Sequence, residues 1–164
     1  MKTAKRTSRL PEILSKHEDD ILAQWLDEQK SSIRSDLISM ANLTEDSREF
    51  LQATTRALQS GGLDIDAPAW AGVREHLDSV SRSRARQGFS PSETATFVFS
   101  LKRPLFAQIR SEASLDADSL AEEMWTATAL LDNLGLYTIE VAISWNSGDS
   151  IKSVAVRSLR TLRQ

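Results

Sequence analysis

Cysteine is absent from the 164 residues. Without a thiol there is no disulfide, no thiolate zinc site, no iron–sulfur cluster and no cysteine nucleophile. Histidine occurs only as His17 and His76. Two are too few for a His-rich metal site, and neither belongs to a Glu-x-x-His pair of the kind that builds ferritin-like di-iron centres. Six glycines and four prolines are few for the turns of an all-β fold. No apolar run approaches the ~18 residues of a membrane-spanning helix. The basic start is not followed by the apolar stretch of a secretory signal, so a cytoplasmic location and no membrane contact are expected. A phosphate-cradling Gly-rich loop and a nucleophile elbow are also missing. No catalytic, metal or cofactor-binding residues are therefore expected, and no enzyme.

What is present is ordinary globular composition, 40% apolar and 26% charged, in a length that fits one domain. The net charge of −3 hides an arrangement. Residues 1–9 carry Lys2, Lys5, Arg6 and Arg9 and no acid, and residues 150–164 carry Lys152, Arg157, Arg160 and Arg163 and no acid. Between them lie 12 basic and 23 acidic residues. Basic ends on an acidic body read as solvated tails. A nucleic-acid or membrane arm is the sharper alternative, but an acidic body repels phosphate, so no nucleic acid is expected.

Helical signals dominate. Pro11 suits a first helical turn, and Ile13, Leu14, Ile21, Leu22, Trp25 and Leu26 recur near a 3.6 period, predicting a helix from about Leu10 to Gln29. A short helix is expected over Asp36 to Met40, then one opening at Thr44 and ending at Gly61-Gly62. Asp66 is expected to cap a helix through Trp70, Val73, Leu77 and Val80 that stops before Gly88. Ser90-Pro91-Ser92-Glu93 is a capping box with proline at the first helical position. The helix it opens should run to about Arg110 with a kink at Pro104. The last helix starts at Asp116 or Asp118 and reaches about Trp145.

That last helix carries two apolar stripes. One is Leu120, Met124, Ala127, Leu131, Leu134, Thr138, Val141 and Trp145; the other is Trp125, Ala129, Asp132, Leu136, Ile139 and Ile143. Two stripes mean burial on two sides, either within the domain or with one side on a second copy. Trp125, Ala129, Asp132, Leu136, Ile139 and Ile143 are the candidate homodimer interface, although the choice of side stays open. Asn146-Ser147-Gly148-Asp149 interrupts the pattern, and Ser150 to Gln164 can form a short amphipathic helix.

Of the polar clusters, His17-Glu18-Asp19-Asp20 splays by ~100° per residue and reads as a solvated face. His76, among Val73, Leu77 and Val80, reads as a core-edge or surface histidine. In the run Arg82, Arg84, Arg86, the first and third share a helix face and the second does not, so the run suits a helix C-terminus better than an anion clamp.

The stretch Ser81 to Ala95, continuing into Phe97-Val98-Phe99-Ser100-Leu101-Lys102, resembles the N-terminal sensory domain of RsbR-type stressosome co-antagonists. The motif residues are Arg82, Arg84, Arg86, Gly88, Phe89, Ser90, Pro91 and Glu93. Ile21 to Leu26 and Leu130 to Thr138 match in the expected places. The resemblance implies an all-α, globin-like domain of about six helices with a long C-terminal helix, paired as a homodimer. It further implies that the last helix leads towards a STAS domain, with STAS-domain stressosome proteins as partners. The Gly88-Phe89-Ser90-Pro91 turn is also similar to the turn after the F helix of heme globin sensors, whose proximal histidine stands four residues before the glycine. Arg84 stands there instead, so heme is not expected.

The expected organisation is a basic flexible tail over 1–9, the sensory domain over 10–146 and a basic amphipathic tail or truncated linker helix over 147–164. The sequence ends before a STAS domain could follow, as in a stand-alone sensory domain or a fragment. The function expected is non-enzymatic stress signalling through homodimerisation and conformational relay. Alternatives are a small-ligand receptor with an arginine at its pocket, or an adaptor that binds nucleic acid or membrane through basic tails.

Overall fold

A computed structural model describes residues 7–32 and 36–146. These residues form seven α-helices, one 3₁₀ turn and no strand: α1 (Leu10–Lys16), α2 (Glu18–Ser32), α3 (Met40–Gly61), the turn Pro68–Trp70, α4 (Ala71–Arg86), α5 (Pro91–Phe99), α6 (Lys102–Ser111) and α7 (Ala117–Asn146). The amphipathic segment expected over 150–164, and most of the basic start, lie outside the described residues.

Several boundaries differ from the sequence expectation for local reasons. The first helix breaks at His17, which is the C-cap of α1 and whose carbonyl accepts Ile21 N–H at 2.9 Å. Glu18, Asp19 and Asp20 then fall in the first turn of α2, where their charge suits the helix dipole. Residues 36–38 are turn rather than helix, and α3 starts at Met40, capped by Ser39, whose Oγ accepts Asn42 N–H at 3.2 Å. Pro68 sets the 3₁₀ turn before α4, so the expected Asp66 cap is displaced by Ala67. The last helix is capped by Asp116, whose Oδ1 accepts Ser119 N–H at 2.8 Å.

The helix expected from Ser90 to Arg110 is two helices. Leu101 N–H bonds Val98 C=O at 3.1 Å, one residue short of α-helical spacing. This frees the Phe97 carbonyl, which accepts the Trp25 indole N–H at 3.1 Å and the Ser100 hydroxyl at 3.1 Å. Pro104 then sits in the first turn of α6, where a missing N–H leaves no bond unmade. The chain breaks before the proline instead of kinking at it.

The core closes around three rings. Trp25 of α2 lies 5.6 Å from Phe50 of α3 and 4.9 Å from Phe97 of α5, and Phe50 and Phe97 are 5.7 Å apart, edge to face. Such pairs contribute roughly 0.5–1.5 kcal/mol each beyond their buried area. One face of α7 packs on α4, α5 and α6. Ala127, Leu131, Leu134 and Val141 of the first apolar stripe are buried there. Gly135 lets α5 approach: a Cβ at that position would lie 2.1 Å from Phe99 Cε1.

Candidate functional site

The arginine-rich motif is first a helix stop and restart. At the end of α4, Gly88 N–H bonds Ala85 C=O at 3.1 Å and Phe89 N–H bonds Arg84 C=O at 3.0 Å. With Gly88 at φ +91, this pair of bonds is a Schellman ending. Two residues on, the capping box forms in both directions: Glu93 N–H donates to Ser90 Oγ at 3.2 Å, and Ser90 N–H donates to Glu93 Oε1 at 3.2 Å. Pro91 occupies the first turn of α5.

This turn folds Phe89 back over Arg84. The Arg84 guanidinium carbon is 5.5 Å from the Phe89 ring centre and 5.2 Å from that of Phe97. The residue is 1% exposed, and neither Nη1 nor Nη2 has a hydrogen-bond partner. Burial pushes its pKa down to about 10, against the opposing charge of Asp46, so the group stays cationic at neutral pH. Burial raises the Asp46 pKa, against the lowering charges of Arg84 and His76. Each ring contact is worth roughly 0.5–2 kcal/mol. Removing an ion from water costs several kcal/mol. The two rings alone therefore fall short of compensating the charge.

The other motif arginines go elsewhere. Arg82 lies 5.0 Å from the Trp145 ring centre, joining α4 to the end of α7, and Arg86 is exposed. The three arginines do not converge on one ligand. His76 is held between helices: its Nε2–H donates to the Asp46 carbonyl at 2.9 Å, and Nδ1 is 3.6 Å from Glu49. His17 Nε2–H donates to Glu112 Oε1 at 2.9 Å, and this bond lowers the Glu112 pKa. Among the described residues, no group of three or more His, Asp or Glu could hold a metal ion.

The second apolar stripe of α7 is the outward one. Trp125 is 75% exposed, Leu136 56% and Ile143 51%, and Ala129 is exposed with them. Ile139 is half-buried at the margin. Asp132 is also half-buried and is tied down by Lys102, whose ammonium lies 5.3 Å from the Phe99 ring centre. Ala129, Leu136 and Ile143 fall every seven residues along the outer line, flanked by exposed Asn133 and Glu140. Leu134 therefore faces the core and Leu136 faces outward.

Sequence reasoning missed the polar contacts that bring distant segments together. Glu123 on α7 is buried and accepts Ser8 Oγ at 2.9 Å and Arg9 N–H at 2.8 Å, which fastens the start of α1. Tyr137 donates to Asp78 Oδ1 at 2.7 Å across α7 and α4. Beside Glu123, a cleft of about 590 Å³ opens between the start of α1, the end of α3 and the start of α7. No helix among the described residues is long and apolar enough to cross a membrane.

Comparison with curated proteins finds no match, nor does comparison with solved structures. A family model does match, over residues 19–143, from α2 almost to the end of α7 and through the Arg84 turn. That span is most of the chain, so the protein belongs to the family of RsbT co-antagonist protein rsbRD N-terminal domains, a stressosome RsbR-related domain of stress signalling.

Proposed function

We propose that this domain is a non-enzymatic, heme-free sensory and regulatory module that pairs with a second copy through the outer face of α7. The observation that carries the pairing is the exposed apolar line Ala129, Leu136 and Ile143, with Trp125 beside it. A seven-residue apolar repeat is the pattern that keeps one seam facing a partner helix in a paired coil. The opposite face of α7 packs on α4, α5 and α6. A shift between paired α7 helices would therefore reach the Arg84 turn through α4 and α5, and the reverse, which is the conformational relay. A cytoplasmic setting and STAS-domain stressosome proteins as partners agree with the family.

The absence of cysteine makes the pairing simple to test. Leu136→Cys introduces one thiol, which should cross-link to its own copy under mild oxidation. Gln52→Cys, on exposed α3, should not. Equal cross-linking at both positions would sink the proposal.

The heme-free reading rests on Arg84 and His76. A buried cation stands where heme-binding relatives place an imidazole, and His76 spends Nε2 on the Asp46 carbonyl. Incubation with hemin should give no Soret band of a ligated heme; a stoichiometric band lost in His76→Ala would overturn this. A small-ligand receptor is the second reading, and the unpartnered Nη1 and Nη2 of buried Arg84 favour it. The adaptor reading depends on tail residues that lie largely outside the described ones.

A further inference from the structure

We propose that Arg84, with Ser81 one turn before it, forms an interior site for a small monoanion of the class of chloride, nitrate or a short carboxylate. The inference goes beyond the pairing of α7 and does not depend on it.

Beneath Phe89, α4 holds donors without acceptors. Nη1 and Nη2 of Arg84 have no hydrogen-bond partner, and neither has Ser81 Oγ. Both residues are buried, at 1% and 0% exposure, and at i and i+3 they lie on the same face of α4. A guanidinium and a hydroxyl on one face are the donor set that binds a planar or spherical anion. The rings of Phe89 and Phe97 attract the cation but supply no lone pair, so the N–H groups of Nη1 and Nη2 are left unmet. Native interiors rarely leave a charge in this state, and an anion would satisfy both the charge and the N–H groups.

Among the described residues, the Asp46 carboxylate is the acidic group whose charge acts on Arg84. It opposes an incoming anion, so its removal separates two explanations. If an anion is the counter-charge, Asp46→Asn should tighten binding. If Asp46 is the true counter-ion, Asp46→Asn should destabilise the protein by the same amount whatever the anion.

The test uses the full chain in sodium gluconate, whose anion is too bulky to enter. Chloride, nitrate and formate are titrated in at constant ionic strength while the melting temperature is followed. The expected result is a saturable rise, about 3–5 °C at ten times the dissociation constant. If only chloride and nitrate act, the guest is inorganic; if formate acts as well, the site also accepts a carboxylate. Arg84→Met should melt higher than the parent in gluconate and lose the saturable rise. Ser81→Ala should keep the rise at several-fold weaker affinity. Identical melting in every anion, or an undiminished rise in Arg84→Met, would overturn the proposal. Should Arg84→Met not fold, chloride-35 line broadening on the parent decides: saturable broadening displaced by nitrate and weakened by Ser81→Ala supports the site, and no saturable broadening overturns it.

Discussion

At Gly135, one added methyl group would meet the Phe99 ring at 2.1 Å. Gly135→Ala gains helix propensity but forces the ring out from between α5 and α7. We expect a net loss of about 1–2 kcal/mol in a denaturant titration, since overpacking typically costs 1–3. In Phe99→Ala the same change should cost nothing or stabilise, which a double-mutant cycle would show. Asp78 illustrates the opposite balance. Burial raises its pKa more than the Tyr137 bond lowers it, so folding disfavours the ionised form. A raised folded pKa means stability that is full at low pH and declines as pH rises through that value. Asp78→Asn keeps the acceptor without the charge, so it should be neutral or stabilising at pH 7, whereas Tyr137→Phe should cost about 1 kcal/mol. None of these contacts was legible in the sequence. A glycine in a helix does not say which ring it admits, and Tyr137 and Asp78 stand 59 residues apart. Arg84 was legible as the residue in a ligand's place, but its burial was not, because the turn that folds Phe89 over it is a tertiary outcome.

At the scale of elements, boundaries set by local chemistry were readable and those set by distant partners were not. The Ser90 capping box and the Gly88 stop stand as their residues indicate. Gly88→Ala meets no steric neighbour, so its cost is that of φ +91 alone, about 1–2 kcal/mol. Ser90→Ala should cost about 1 kcal/mol through the lost cap. Thermal melts of the two variants check both values. The break between α5 and α6 was misplaced because Trp25, far away in sequence, takes up the Phe97 carbonyl. The join of α1 and α2 to α6 rests partly on Glu112, which accepts from His17 and lies 3.8 Å from Lys16. Its lowered pKa gives stability that is present above the ordinary glutamate range and lost as pH falls through the folded value. Glu112→Gln should therefore melt below the parent at pH 7, and the gap should narrow as pH falls below the ordinary glutamate range, as paired melts over an acid series would show.

For the whole molecule, two stripes on one helix predict burial on two sides, and the packing of α4, α5 and α6 on α7 shows which face the domain itself covers. A single chain cannot reveal this from periodicity, because both stripes repeat equally well. The pairing proposed above covers the outer stripe with a second copy. Sedimentation equilibrium of the parent, Leu136→Asp and Leu134→Asp tests it most directly. The parent should be dimeric, Leu136→Asp should sediment as a monomer with an unchanged helical spectrum, and Leu134→Asp should lose its fold. A monomeric parent, or a folded Leu136→Asp variant that remains as dimeric as the parent, would contradict it.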